Sequence, residues 1–209
     1  MKKGIFITFE GIEGSGKTTQ IREAARHLRR LGKRVLLLRE PGRTGVGEAL
    51  RKVLLDKSLK RMEPETELLL YLAARAQVVR EKILPALAAG KAVVCDRFED
   101  STLAYQGFGR GLPLKEIQEM SRLVRGSLKP RLTFLLDIET RAGLKRLGRK
   151  GRRDRIEREP PAFHRRVRRG FLTLARREPE RFLVLHGRES RSVLAAKIRE
   201  KLDRVFHAR

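Results

Sequence analysis

Apolar runs recur along the chain in a pattern that predicts a parallel β-sheet. Five short runs rich in β-branched and aliphatic residues are nearly continuous rather than alternating, as expected for strands covered on both faces. We therefore predict strands over residues 5–9, 35–38, 92–95, 132–138 and 182–185.

The segments between these runs have the apolar spacing of helices. We predict helices over residues 18–31, 65–89 and 114–124, each followed closely by a glycine, which is common just past the last helical turn. A closing amphipathic helix is predicted over residues 192–206. Strands that alternate with helices predict a three-layer α/β fold with a five-stranded parallel sheet. With no internal repeat or low-complexity linker, residues 1–209 are predicted to form a single domain.

A glycine-rich segment directly after the first predicted strand has the pattern of a phosphate-binding loop. Its residues are Gly11, Ile12, Glu13, Gly14, Ser15, Gly16, Lys17 and Thr18. The glycines let backbone N–H groups point inward at the start of a helix, where the dipole favours an anion. Lys17 is expected to reach the β- and γ-phosphates, and the Thr18 hydroxyl to bind Mg²⁺. This loop predicts a P-loop NTPase fold that binds a nucleoside triphosphate.

Two more polar clusters follow the second and third predicted strands. One begins at Arg39, and the other is Asp96 with Arg97. Because the carboxyl ends of parallel strands meet at one edge of a sheet, both clusters should converge on the phosphate loop. We interpret Asp96 as a carboxylate near Mg²⁺, with a strand-end cap as the alternative. Arg97 is interpreted as a cation for a second phosphate group, with a surface arginine as the alternative.

Charge and composition narrow the class of protein. The formal net charge is +25, from 50 Lys and Arg against 25 Asp and Glu. Such an excess is typical of nucleic-acid binders, of enzymes for polyanionic small molecules and of surfaces rich in ion pairs. The single cysteine, Cys95, excludes a disulfide framework and is expected to be buried. No run has the length of a signal peptide core or a membrane span, so we expect a cytoplasmic protein without a membrane partner.

Four segments together resemble the bacterial thymidylate kinase family. They are residues 11–19, 39–51, 96–107 and 154–157, and they follow one another in the family's order. The stretches Arg39-Glu40-Pro41-Gly42 and Ala104-Tyr105-Gln106-Gly107 are more specific than the phosphate loop. The resemblance implies transfer of the γ-phosphoryl group of ATP to dTMP, which gives dTDP and ADP for dTTP synthesis. It also implies Mg²⁺ as the cofactor.

The resemblance assigns an acceptor site for dTMP. The residues that it implies are Arg39, Arg51, Tyr71, Arg75, Arg97, Thr102, Tyr105 and Gln106. The arginines at 39, 51 and 97 hold the phosphate in this assignment. Tyr71 stacks on thymine, although without the resemblance a core aromatic would be favoured, and Arg75 reads the O4 edge from the same helix face. Glu13 matches the family carboxylate near the acceptor sugar and the metal.

Residues 141–158 are predicted to be a mobile, arginine-rich lid. The segment alternates Arg, Lys and Gly with few apolar anchors, which suits a segment that closes over ATP and supplies an arginine to the transition state. In the family, a glycine at the position of Gly14 accompanies a lid that carries this arginine. The candidates are Arg146, Arg149 and Arg155. The predicted catalytic residues are Lys17, Glu13, Arg97, Arg149 and Arg155.

Three questions stay open at this point. Arg43 stands where the family commonly has glycine, and it either adds a cation near the acceptor phosphate or points to solvent. The acceptor could be another nucleoside monophosphate such as dUMP, and a nucleic-acid-binding ATPase is a more distant alternative, although no specific nucleic-acid partner is expected. The family is homodimeric, and the apolar stripe of Leu114, Ile117, Met120 and Val124 is either the interface or an ordinary buried helix face.

Overall fold

The computed structural model describes residues 4–148 and 154–207, and in them five strands form one parallel sheet of order β2-β3-β1-β4-β5. The strands are β1 Ile5–Glu10, β2 Val35–Arg39, β3 Ala92–Asp96, β4 Leu132–Asp137 and β5 Phe182–His186. The predicted strands and the parallel α/β fold are confirmed, and each strand boundary agrees to within one residue.

Helices cover both faces of the sheet. They are α1 Lys17–Arg30, α2 Gly45–Leu55, α3 Pro64–Val78, α4 Leu84–Ala88, α5 Glu99–Thr102, α6 Leu114–Arg125, α7 Thr140–Gly148, α8 Pro161–Arg177 and α9 Arg191–His207. A π-helical stretch, Val79–Ile83, joins α3 to α4, and a second one, Leu103–Gly109, extends α5. The helix predicted over residues 65–89 is therefore one run with a π-helical turn in it.

The apolar spacing did not predict α2, α7 or α8. Helix α2 is short and begins with two glycines among its first three residues, and it relies on a cap in which the Thr44 hydroxyl accepts a hydrogen bond from Gly47 N at 2.9 Å. Helix α8 has six arginines among 17 residues, which obscure its apolar face. Helix α7 occupies the first part of the segment that we predicted to be a lid.

The continuous apolar strands are explained by burial on both faces. Ile7 and Phe9 pack against α1 and α9, whereas Phe6 packs against the helical run that ends at Ala88. Successive strand residues point to opposite faces, so a strand between two helical layers needs apolar residues at every position. Among the described residues, no helix is both long enough and apolar enough to cross a membrane.

The stripe on α6 is a buried face. Ile117 is fully buried in the core, and Leu114, Met120 and Val124 pack against the same cluster. Leu123, on another side of α6, is 83% exposed. Within one chain, the stripe is therefore a helix face that packs on the core, and its part in a dimer stays a prediction.

The sheet brings the three polar clusters to one edge. Asp96 at the end of β3 lies opposite Phe9 of β1 on one side and opposite Arg39 of β2 on the other. The phosphate loop continues from the end of β1. The predicted convergence of the three strand ends is therefore confirmed.

Candidate active site

The backbone of the loop between β1 and α1 requires its glycines. Gly11, Gly14 and Gly16 have φ values of +136°, +73° and +91°, in the region that disfavours other residues. A Cβ atom at Gly14 would lie 2.3 Å from the carbonyl oxygen of Gly143 in α7, and one at Gly11 would lie 2.4 Å from that of Leu136. The loop is thus held tightly against β4 and α7.

Lys17 lies across this loop from the first turn of α1. Its Nζ donates hydrogen bonds to the carbonyl oxygens of Gly11 at 2.8 Å and Ile12 at 3.1 Å. Burial and the nearby Arg97 charge lower the pKa of Lys17 to about 8. Because a bound polyphosphate would favour the charged form, the ammonium group is well placed to exchange its carbonyl partners for phosphate oxygens.

A cavity of about 600 Å³ opens beside the loop and contains most of the predicted site. The predicted site residues that line it are Glu13, Gly14, Ser15, Gly16, Lys17, Thr18, Arg39, Arg51, Tyr71, Arg75, Asp96, Arg97, Thr102, Tyr105 and Gln106. Gly11 and Ile12 lie outside the lining, and Ile12 packs in the core. The volume is in the range of a nucleotide-binding pocket.

Asp96 and Thr18 offer oxygen ligands at the loop side of this cavity. Within residues 4–148 and 154–207, Asp96 Oδ1 is buried and accepts no hydrogen bond. Such an oxygen is suited to a cation such as Mg²⁺. No cluster of three His, Cys, Asp or Glu side chains that could hold a metal occurs in those same ranges. The arrangement suits a cation that is shared with bound phosphates rather than enclosed by protein.

Arg97 lies between the loop and the opposite wall of the cavity. Its φ is +70°, which is rare for a residue with a side chain. The guanidinium donates to the Gly11 carbonyl oxygen at 3.0 Å, to Ser101 Oγ at 3.1 Å and to Glu13 Oε1 at 2.8 Å. Tyr105 donates its hydroxyl to the same Glu13 carboxylate at 2.6 Å. Burial acts to raise the pKa of Glu13, but Arg97 and Lys17 outweigh it and hold that pKa below its ordinary value.

Arg75 is fixed in the wall by a buried ion pair. Its side chain is 2% exposed, and its Nε donates to Glu40 Oε2 at 2.8 Å. The guanidinium lies over the Phe98 ring at 4.9 Å, and among the described residues Nη1 has no hydrogen-bond partner. Tyr71 lines the cavity one helical turn earlier and is only partly buried. Both side chains are therefore available to a planar ligand in the cavity.

The other two acceptor arginines are Arg39, at the end of β2, and Arg51, in the second half of α2. Arg39 donates to Glu48 at 2.9 Å and 3.2 Å, and Arg51 donates to the carbonyl oxygen of Pro41 at 3.1 Å. Arg43 is exposed and does not line the cavity, although its backbone N–H donates to Glu48. Of the two alternatives for Arg43, the structure places the side chain in solvent.

The lid arginines occupy different places. Arg149 lies outside the described residues. Arg155 is buried, donates from Nε to the Leu54 carbonyl oxygen at 2.9 Å and pairs with Glu67 at 2.6 Å, so it does not line the cavity. Arg146 does line it, and its guanidinium lies 3.5 Å from the carbonyl oxygen of Gly14.

Glu67, which the sequence did not single out, is a buried acid with several partners. Its side chain is 1% exposed and accepts hydrogen bonds from Gln106 at 2.7 Å and from Arg110 at 3.0 Å and 3.1 Å, besides the pair with Arg155. Glu67 precedes Tyr71 by four residues, as Tyr71 precedes Arg75. That helical spacing is the signal that could have identified it.

Comparison with known proteins identifies the family. The family model described as thymidylate kinase matches residues 9–198. The thymidylate kinase of Deinococcus radiodurans is 50% identical over 198 residues, which cover 95% of this chain and 96% of the relative.

The chain belongs to the thymidylate kinase family.

Further relatives agree with this membership. The thymidylate kinase of Geobacter sulfurreducens is 50% identical over 205 residues, covering 95% of this chain and 96% of the relative. A crystal structure of thymidylate kinase from Ehrlichia chaffeensis matches with a TM-score of 0.77 and 33% identity, and the match covers 96% of this chain and 99% of that one. As a member of the thymidylate kinase family, the chain is an ATP-dependent phosphotransferase. The family resemblance in the sequence is thereby confirmed.

Proposed function

We propose that the cavity beside the phosphate loop is a two-nucleotide site in which the γ-phosphoryl group of ATP passes to the phosphate of dTMP. The chain phosphorylates dTMP to dTDP, in keeping with its family. The main support for this site assignment is that one cavity is lined by two sets of cationic side chains. Lys17 lies in the loop itself, Arg97 lies next to the loop and donates to Gly11 and Glu13, and Arg39 and Arg51 line another part of the same cavity. A hydrolase for one triphosphate needs only the first set.

The reaction depends on positioning and charge. The phosphate of dTMP is already anionic at neutral pH, so no side chain has to remove a proton from it. Bringing two polyanions together and stabilising the charge on the transferring group is the main task. Lys17 and the inward N–H groups of the loop hold the donor phosphates, and Arg97 holds the acceptor phosphate. Among the described candidates in the lid, Arg146 lines the cavity and lies beside Gly14.

Mg²⁺ fits the oxygen groups at the loop side of the cavity. We propose that Thr18 and Asp96 hold the ion together with the ATP phosphates. Asp96 Oδ1 supports this role, because in the described part of the chain it is buried and accepts no hydrogen bond. When bound, the ion neutralises charge on the β- and γ-phosphates.

The thymine base is assigned to the wall formed by α3 and the π-helical stretch after α5. Arg75 offers Nη1 to a base oxygen, because Nε is already held by Glu40. Tyr71 offers a ring face. Thr102, Tyr105 and Gln106 line the same cavity and contact the base and deoxyribose in our assignment. A missing methyl group in such a pocket changes binding by about 1–3 kcal/mol, so dUMP is expected to be a poorer substrate rather than a rejected one.

We also propose that the enzyme is a cytoplasmic homodimer. Support for the dimer comes from Leu69 on α3 and Leu123 on α6, which are 54% and 83% exposed on two helices that contact one another. The free, buried Cys95 is compatible with a reducing compartment. Light scattering on Leu123→Glu tests the dimer. The variant should shift to the monomer mass, and an unchanged mass would count against this surface.

The assay that tests the function measures ADP formation with and without dTMP. The kinase predicts ADP formation only when dTMP is present, with one dTDP formed for each ADP. A nucleic-acid-binding ATPase, the alternative, predicts ADP formation that DNA stimulates and salt suppresses. The Arg97→Ala variant should raise the KM for dTMP much more than the KM for ATP. An unchanged KM for dTMP in Arg97→Ala would overturn the acceptor-site assignment.

A further inference from the structure

Glu10, the last residue of β1, is a buried acid that the proposed reaction does not use. Its side chain is fully buried within the central strand, where an apolar residue would cost less to bury. In the described part of the chain, both hydrogen bonds to its carboxyl group come from the segment that contains Arg97. Phe98 N donates to Oε1 at 2.8 Å, and the Ser101 hydroxyl donates to Oε2 at 2.6 Å.

These contacts surround the strained backbone of Arg97. With φ at +70°, this residue lies in a strained conformation that persists only where its surroundings enforce it. The Arg97 N–H donates to the Phe9 carbonyl oxygen at 3.0 Å, and the next N–H, that of Phe98, donates to Glu10. Two consecutive amides are thus tied to the end of β1, which fixes the direction in which the Arg97 side chain leaves the backbone.

Ser101 extends the same restraint to the guanidinium. Its Oγ accepts a hydrogen bond from Arg97 Nη1 at 3.1 Å while its hydroxyl donates to Glu10. Glu10 therefore holds Arg97 at two points, through the backbone of Phe98 and through the Ser101 hydroxyl. Behind this layer, Arg181 holds Asp100 through hydrogen bonds at 2.7 Å and 2.8 Å.

We propose that Glu10 is a positioning residue that sets the Arg97 guanidinium at the acceptor phosphate. This inference rests on the proposed function of Arg97. Glu10 itself does not line the cavity, so its effect on the substrate passes through Arg97.

The test compares steady-state kinetics of wild type, Glu10→Ala, Glu10→Gln and Arg97→Ala. Glu10→Ala removes both acceptors and should raise the KM for dTMP by about tenfold while the KM for ATP stays within about twofold. Glu10→Gln keeps a side-chain oxygen for Phe98 N and should recover most of the wild-type KM. Adding Arg97→Ala to Glu10→Ala should increase the KM for dTMP only slightly beyond Arg97→Ala alone, because the two changes act on one interaction.

Glu99→Gln is the matched control. Glu99 is also a buried acid in this segment, but it pairs with Arg125 at 2.6 Å, and within residues 4–148 and 154–207 it makes no hydrogen bond to Arg97. This variant should lose stability without raising the KM for dTMP. Where Glu10→Ala does not fold, Ser101→Ala tests the same link and should raise the KM for dTMP several-fold.

Two results would overturn the inference while leaving the proposed function intact. One is a KM for dTMP that stays within twofold in both Glu10→Ala and Ser101→Ala although Arg97→Ala raises it. The other is that Glu10→Ala and Arg97→Ala raise the KM for dTMP independently, so that the double variant shows the product of the two fold-changes. A wrong acceptor-site assignment would give a different result from a wrong role for Glu10. In that case Arg97→Ala alone would leave the KM for dTMP unchanged.

Discussion

Glu67 has a buried carboxylate, and its isosteric replacement by glutamine is expected to lower the stability of the fold strongly. Glu67 pairs with Arg155 and Arg110, whose side chains are 8% and 16% exposed. Glu67→Gln keeps the side-chain shape but removes the negative charge. Arg155 then loses the carboxylate that pairs with it, whereas Arg110 keeps its second pair, with Glu159 at 2.6 Å. Removing one partner of a buried ion pair typically costs about 3–5 kcal/mol.

This loss converts into a measurable change of melting temperature. For a chain of this length, 1 kcal/mol corresponds to about 2–4 °C, so we expect a decrease of about 6–20 °C. Circular dichroism during thermal and urea unfolding measures both quantities. Glu65→Gln is the control, because Glu65 lies on the same helix but is exposed. It should cost no more than about 1 kcal/mol, the scale of a charge in the first helical turn.

A loss in Glu67→Gln no larger than in Glu65→Gln would refute this reasoning. A double-mutant cycle with Arg155→Met identifies the partner. Because the two residues are in contact, their effects on the free energy of unfolding should be less than additive by about 1–3 kcal/mol. Additive effects would show that the pair between Glu67 and Arg155 does not stabilise the fold.

Three other variants test the site and its charges. Lys17→Ala should reduce dTMP phosphorylation by more than about a hundredfold at saturating ATP, because the donor phosphates lose their cation; activity near wild type in a coupled ADP assay would contradict this role. Gly14→Ala should lower activity and stability together, since the new Cβ would lie 2.3 Å from the Gly143 carbonyl oxygen, and unchanged melting would count against the tight packing of the loop. Burial and the Asp100 carboxylate raise the pKa of Glu10 from 4.5 to about 8. The folded chain therefore keeps a proton that the unfolded chain releases, so the free energy of unfolding should fall as the pH rises from about 5 to 8, relative to Glu10→Gln. Parallel pH profiles of wild type and Glu10→Gln in urea unfolding would contradict that shift.

The sheet could be predicted from the sequence because a strand that is buried on both faces is a nearly continuous run of apolar residues. Every inward and outward position of β1, from Ile5 to Phe9, has to be compatible with a helical layer, so the run is nearly all apolar. The helices were harder to predict from the sequence. Helix α8 buries Phe163, Val167 and Phe171 at helical spacing, but arginines between them dominate the local composition.

The candidate site was predictable where residues follow strand ends. Lys17, Asp96 and Arg97 fall there, and the structure places all three on one cavity. Residues that act through other residues were not predictable in this way. Glu10 looks like an ordinary strand end in sequence, and its role depends on contacts with Phe98 and Ser101, about 90 residues later in the chain. Long-range pairs of this kind leave no local pattern.

The lid arginines show the same limit. Composition marked the basic segment, but it could not separate an arginine that lines the cavity from one that is held elsewhere. Arg146 lines the cavity, whereas Arg155 is held by Glu67 and by the carbonyl oxygen of Leu54. Their catalytic roles stay predictions that kinetics of Arg146→Ala and Arg155→Ala would separate.

The most direct test of the central claim is the rate of ATP-dependent phosphorylation of dTMP, dUMP, dCMP and AMP under identical conditions. Our account predicts the highest kcat/KM for dTMP, a lower value for dUMP because it lacks one methyl group, and far lower values for dCMP and AMP. Turnover of AMP that equals or exceeds that of dTMP would contradict the account.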